Sequence, residues 1–276
     1  MASLSGRVAV VTGGSRGIGR GIALRLAAEG ADCALTYRNN ADQARAAVAE
    51  IEALGRRALA LPLELAEPAE VAPVLERIGE AFGSVDILVA SAAATAFRPV
   101  LEQKPHNVRR TLAISIESFV AAVQGAVALM RGGGRIVVIS GIDSFQGMHG
   151  HGLLGAAKAG MESLVRTLAL ELGPRGITVN GVNPGLVETY SSRYYVEQGL
   201  GRDYHEAMSR LVAATPVRRL GTVEDVAGLV AYLVSDAAAF LTGQTIVLDG
   251  GLTIVSPLDR LREGKAGAAD PRGSSP

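Results

Sequence analysis

The stretch Thr12-Gly-Gly-Ser-Arg-Gly-Ile-Gly19 holds the clearest chemistry in the chain. It follows an apolar, β-branched run at 8–12 and opens a helical pattern at about residue 17. Glycines in such a place let the backbone turn tightly and approach a pyrophosphate, whose charge the helix N-terminus stabilises. The spacing is Gly-x-x-x-Gly-x-Gly over Gly13, Gly17 and Gly19, with Ser15, Arg16 and Ile18 filling the turn. A second signal follows the next strand, where an acidic residue would bind the ribose 2′-hydroxyl of NAD. The chain instead reads Thr36-Tyr37-Arg38-Asn39-Asn40. Arg38 and Arg16 can pair with a 2′-phosphate through charge-assisted hydrogen bonds, so NADPH is the expected cofactor. The bland alternatives are a glycine turn that serves only packing and two solvated arginines.

The elements that would position these groups alternate regularly. Strands are expected over 8–12, 33–36, 58–63, 85–89, 135–139, 177–182 and 245–248. Helices are expected over 17–29, 41–54, 67–82, 107–130, 154–172 and 224–235. This alternation implies parallel βαβ units: an α/β, Rossmann-type doubly wound sheet of about seven strands with helices on both faces. A single domain is expected over 1–255. Residues 188–215 are polar and tyrosine-rich, and a region of that length between two elements is expected to form a substrate lid. The tail, 256–276, carries Pro, Gly, Ser and charge, and disorder is expected from about Arg262.

Composition sets bounds. The 276 residues are 48% hydrophobic, enough for a sizeable core. The 27 basic and 27 acidic residues cancel, leaving no basic field for nucleic acid or anionic lipid. The one cysteine, Cys33, reads as a buried structural thiol, and no Cys/His cluster has metal-ligand spacing. The first residues lack a leader pattern and no apolar run is expected to span a bilayer, so a cytoplasmic location is expected.

Three further segments, with the glycine turn, carry a family resemblance: Asp86-Ile-Leu-Val-Ala-Ser-Ala-Ala93, Asn180-Gly-Val-Asn-Pro-Gly-Leu-Val-Glu-Thr189 and Gly243-Gln-Thr-Ile-Val-Leu-Asp-Gly-Gly251. Over roughly residues 5–255 the chain resembles the short-chain dehydrogenases/reductases. The resemblance implies that Pro184, Gly185, Val187 and Thr189 hold the nicotinamide end of the cofactor. It also sets Glu64 and Leu65 where the family usually has an Asp-Val pair beside the adenine, and Ala92 on the loop against the cofactor. Family members are usually tetramers or dimers packed through two long helices, here about 107–130 and 154–172. The small residues Ala121, Ala122, Gly125 and Ala126 suit that contact, although helix–sheet packing explains them equally.

The same resemblance exposes departures. The family commonly uses an Asn, Ser, Tyr and Lys, in which the tyrosine moves the proton and the lysine binds ribose. By matching segments, the asparagine position is Ser115, the serine position Gly141 and the tyrosine position Leu154; Lys158 remains. Enoyl-thioester reductases of the superfamily place their tyrosine seven residues before the lysine, and here that position is His151. The segments Ala92-Ala-Ala-Thr-Ala-Phe-Arg-Pro-Val100 and Gly152-Leu-Leu-Gly-Ala-Ala-Lys158 also resemble an NADPH-dependent group of those reductases. His151 can replace a phenol, because an imidazole donates a hydrogen bond to a carbonyl or an enolate oxygen. The alternative is a histidine of no chemical role in a Gly-rich loop.

Ser140, Asp143 and Ser144, after the fifth strand, are further candidate donors, with Asp143 expected to be an exposed loop carboxylate. Tyr190, Tyr194 and Tyr195 could supply a phenol from the lid, but are expected to be packing residues. His106 and His205 receive no role. The leading expectation is an NADPH-dependent reductase of an activated C=C bond, an enoyl thioester or related α,β-unsaturated carbonyl, with His151 and Lys158 as its catalytic residues. The alternatives are a ketone or imine reductase, and a non-redox isomerase, cyclase or NADPH-binding pseudoenzyme on the same scaffold.

Overall fold

A computed structural model describes residues 4–256 and 258. Seven parallel strands form one sheet: β1 (Val8–Thr12), β2 (Asp32–Tyr37), β3 (Ala58–Pro62), β4 (Ile87–Ala90), β5 (Gly134–Ile139), β6 (Ile177–Pro184) and β7 (Thr245–Leu248). Their spatial order is β3-β2-β1-β4-β5-β6-β7. The order reverses beside β1, which makes the β1–β4 crevice the topological switch point where ligands bind in such sheets. β1, β4, β5 and β6 are buried along their whole length, hence their nearly unbroken apolar sequences.

Helices cover both faces. α1 (Gly17–Ala28), α2 (Ala41–Ala53) and α9 (Val223–Val234) bury Ile22, Leu26, Ile51, Val230 and Leu233 against one. α3 (Val71–Phe82), α5 (Ser118–Leu129) and α6 (Gly152–Leu172) bury Leu75, Ile78, Phe119, Val123, Met161 and Val165 against the other. Each such side chain contributes about 1.5–3 kcal/mol on burial. Cys33 lies in the first core, and burial pushes its thiol up to about 12, so it is an inert packing group.

Three regions depart from the sequence expectation. The helix expected over 67–82 begins as a 3₁₀ turn at Pro68–Glu70 before α3; a continuous helix would need an N–H from residue 73 to the Ala69 carbonyl, and Pro73 has none. The long helix expected over 107–130 is α4 (Pro105–Leu112) and α5 joined by a π turn at Ala113–Glu117. The joined stretch Pro105–Leu129 is also long and apolar enough to cross a membrane, contrary to expectation, but its apolarity reflects packing of Phe119, Ala122 and Val123 under the sheet. The segment 188–215, expected to form a lid, contains helices: α7 (Tyr190–Tyr194), a π turn at Tyr195–Gly199, and α8 (Tyr204–Ala214). Thr189 and Ser192 form a capping box on α7, and the Asp203 carboxylate caps α8. The expected disorder beyond Arg262 lies outside the described residues.

Candidate active site

The glycine turn is as tight as its composition suggests. Gly13 has φ +67°, and a Cβ there would meet Ala92 at 3.1 Å. A Cβ on Gly19 would lie 2.4 Å from the Gly13 carbonyl oxygen, so the third glycine lets α1 close onto the strand. Gly17 has φ +55° and faces space, with Thr189 Cγ2 the nearest atom at 4.0 Å. The Gly14 N–H donates to Thr36 O at 3.0 Å and ties the turn to the end of β2. α1 has no side-chain cap and no acidic residue in its first turn, so its leading N–H groups are available to an anion. Arg16 and Arg38 are exposed near this end, with the Arg16 guanidinium 5.6 Å from the Tyr190 ring. Ser15 is buried within the turn and Ile18 half-buried behind it.

The loops after β3, β4 and β6 open on the same edge of the sheet. Glu64 accepts from the Ala66 N–H and pairs with Arg110 at 3.3 Å, beside a half-buried Leu65. Ala92 and Ser91 donate their N–H groups to Thr12 Oγ1. Pro184 ends β6, and a Cβ on Gly185 would lie 2.6 Å from Asp249 Cβ. Val187 is buried and bridges Gly221. Thr189 Oγ1 accepts from Ser192 N at 3.2 Å, so this hydroxyl serves the α7 cap. The π turn buries Ser115 beside a small cavity lined by Thr12, Ala90, Ala92 and Met161, and its hydroxyl has no hydrogen-bond partner among the described residues.

The centre lies where β5 hands over to α6. Lys158, in the second turn of α6, is buried and donates from Nζ to Ile139 O at 2.6 Å. Burial pulls its ammonium down to about 8, with the carboxylates of Asp143 and Glu162 opposing the shift. His151 is the N-cap residue of α6, and its Nδ1 lies 3.1 Å from Asp143 Oδ2. The other ring nitrogen, Nε2, is buried with no partner among the described residues. Phe97 and Tyr195 close around the imidazole with ring centroids at 4.8 and 4.3 Å.

Asp143 is therefore not the exposed loop carboxylate its sequence position suggested: its side chain is 8% exposed. A 3₁₀ turn at Ile142–Ser144 folds it inward beneath α6. Of the candidate donors by position, Ser140 has its hydroxyl hydrogen committed, whereas the Ser144 hydroxyl is bonded, among the described residues, only as an acceptor. Ser140 Oγ donates to Glu162 Oε1 at 2.5 Å, and Ser144 Oγ accepts from Asn183 Nδ2 at 3.0 Å. Asn183 Nδ2 also donates to Glu162 at 2.8 Å. Glu162 had a sequence signal, four residues after Lys158 on the same face of α6.

The three tyrosines at 190, 194 and 195 divide. Tyr190 and Tyr194 stack on each other at 6.3 Å and remain exposed. Tyr195 packs on His151, and its hydroxyl donates to His149 O at 3.0 Å. Burial and the nearby Asp143 charge raise its phenol, the opposite of what a proton-donating tyrosine needs.

A family profile described as enoyl-(acyl carrier protein) reductase matches residues 13–253. The 1-cyclohexenylcarbonyl-CoA reductase of Streptomyces collinus is 38% identical over 91% of this chain and 88% of its own. The chain belongs to the short-chain dehydrogenase/reductase family. It is thus an oxidoreductase of a family that uses nicotinamide cofactors. An L-rhamnose 1-dehydrogenase (NAD(P)(+)) from a Sphingomonas strain is 37% identical over 92% of the chain and 99% of its own. A short-chain dehydrogenase from Burkholderia cenocepacia, solved in complex with NADP, superposes with a TM-score of 0.84 at 37% identity, covering 91% of this chain and 99% of that one.

Proposed function

We propose that the protein is an NADPH-dependent reductase of an activated carbon–carbon double bond, an enoyl thioester or related α,β-unsaturated carbonyl, with His151 in place of the tyrosine. The observation that carries this reading is the His151 ring, held at Nδ1 by Asp143 and leaving Nε2 buried and, among the described residues, unpartnered. A buried polar atom without a partner costs about 1–3 kcal/mol, and the carbonyl oxygen of a substrate would relieve that cost.

The residues present fit a nicotinamide dinucleotide. The Gly13, Ser15, Gly17, Ile18 and Gly19 turn with the uncapped start of α1 would hold the pyrophosphate, Arg16 and Arg38 the 2′-phosphate, and Glu64, Leu65 and Ala92 the adenine side. Lys158 would hold ribose, and Pro184, Gly185, Val187 and Thr189 the nicotinamide end. When bound, the reduced cofactor supplies a hydride. His151, as imidazolium, donates from Nε2 to the carbonyl oxygen, where negative charge gathers as the β carbon is reduced. Phe97 and Tyr195 exclude water from that contact. The Streptomyces collinus relative, named for reducing an unsaturated acyl-CoA, supports the substrate class.

Ketone reduction with a lid phenol is less well supported, because Tyr195 gives its hydroxyl proton to the His149 carbonyl. Loss of absorbance at the reduced nicotinamide band, followed over a panel of enoyl thioesters, enones and ketones, tests the reading. Oxidation only with activated C=C bonds supports it. Turnover of ketones alone, abolished by Tyr195→Phe, would replace it. We also read the α5–α6 face, where Val120, Val123, Leu164 and Leu168 line an open groove, as the packing face of a homo-oligomer. A monomer by light scattering would contradict that part.

A further inference from the structure

Gly141 and His151 differ from the family pattern at two places, and Asp143 connects them. The Gly141 backbone is extended, with φ −173°, a conformation any residue adopts. What excludes a side chain is the Asp143 carboxylate: a Cβ on Gly141 would lie 2.7 Å from its Oδ1. A Cβ on Gly155, in the first turn of α6, would lie 2.2 Å from the Asp143 carbonyl oxygen. Both glycines thus admit Asp143 to the space beneath α6, and from there its Oδ2 reaches His151 Nδ1 at 3.1 Å.

We infer that Asp143 is a positioning residue for His151, holding the ring with Nδ1–H on the carboxylate and Nε2 turned to the reacting group. The inference rests on the reading of His151 as proton donor. A neutral imidazole whose Nδ1 carries the proton has only a lone pair at Nε2; it donates from Nε2 only as imidazolium. In both forms Nδ1–H donates to the Asp143 carboxylate, so the contact persists as the proton leaves Nε2. The other titratable groups around the pair are Lys158 and Glu162 from α6 and Tyr195 from the lid. Arg98, beside Phe97 on the loop after β4, is exposed.

The reaction then balances. With a hydride supplied by a bound reduced nicotinamide, the β C–H bond would form and the C=C pair would move to the carbonyl oxygen as an enolate. The Nε2–H bond breaks as its proton passes to the substrate, directly or through solvent, to give the α C–H bond. Neutral imidazole remains, still held by Asp143, and solvent returns the proton. The double bond would gain two electrons and two hydrogens, the electrons arriving with the hydride that a bound reduced nicotinamide would supply.

The test begins on the full chain without substrate, by histidine-ring ¹⁵N–¹H correlation across pH, with His151 identified by loss of its signals in His151→Gln. The expected result is a neutral form protonated at Nδ1 in the parent. Asp143→Ala should populate the Nε2–H tautomer. The same tautomer in the parent and in Asp143→Ala would overturn the inference. Gly141→Ala is the second variant, since it displaces the carboxylate without removing it; it should shift the ring toward the Nε2–H tautomer as well. In turnover, Asp143→Asn should lower kcat by about 10–100-fold with little change in KM. An Nδ1–H tautomer that Asp143→Ala reverses, in a parent chain that reduces no enoyl thioester, would support the pairing and overturn only the substrate reading. Turnover with a kcat and pH profile unmoved by Asp143→Asn would overturn the positioning role and leave the substrate reading intact.

Discussion

Lys158 donates from Nζ to the carbonyl oxygen of Ile139 at 2.6 Å, which ties α6 to the last residue of β5. The contact sets the lysine in the crevice at the carboxyl ends of the strands, at the cost of burying a cation. That cost has a sign that can be measured. Burial lowers the group from 10.5 to about 8 in the folded chain. Below pH 8 it is protonated in both states and the fold bears the desolvation. Between about 8 and 10.5 the unfolded chain binds the proton and the folded chain does not, so stability rises with pH. Urea melts of the parent and of Lys158→Met across pH 7–10.5 should show the parent gaining up to about 3 kcal/mol relative to the variant. Parallel curves would show that Lys158 is not a buried cation.

Cofactor preference should follow Arg38. It stands exposed just beyond β2, where no acidic residue is present to meet a ribose 2′-hydroxyl. Arg38→Ala should weaken NADPH binding by about 10-fold or more and leave NADH nearly unchanged, read by nicotinamide fluorescence. Equal losses for both cofactors would remove the 2′-phosphate role.

The glycine turn makes a sharper steric prediction. Gly19 has no room for a methyl group, with the Gly13 carbonyl oxygen 2.4 Å from the Cβ position, and that neighbour is backbone. Gly19→Ala should abolish measurable dinucleotide binding or cost about 1–3 kcal/mol of stability, of the order found for overpacked cores. A variant with parental affinity and melting would mean that the turn is looser than described.

Gly141 tests the other side of the site. Asp143 Oδ1 ends a side chain that can swing, so a methyl group at 141 is accommodated by a shift of the carboxylate, which loosens its hold on His151. Gly141→Ala should therefore fold, bind NADPH normally and lose about 10-fold or more in kcat. Unchanged kcat would mean the carboxylate can remain in place.

Much of the scaffold was legible because its signals are local. β1, β4, β5 and β6 are buried along their lengths and therefore read as apolar runs, and the positive-φ glycines at 13 and 17 mark a turn that needs them. The π turn at Ala113–Glu117 had no such mark, since its residues suit an ordinary helix. Asp143 was misread because nothing near it in sequence predicts burial; the 3₁₀ turn at Ile142–Ser144 and the small Gly155 across from it do that in space. His151 was placed by its distance from Lys158, but that only one of its nitrogens is satisfied is a tertiary fact.

The most direct measurement is the rate of NADPH oxidation with an enoyl thioester by the parent chain and by His151→Ala, with NADPH affinity measured on both. Parental affinity in the variant with a loss of about 10²–10⁴-fold in kcat is the predicted result. Equal rates in the two chains, or no turnover of any activated double bond by the parent, would contradict the assignment of His151 as the proton donor of a double-bond reductase.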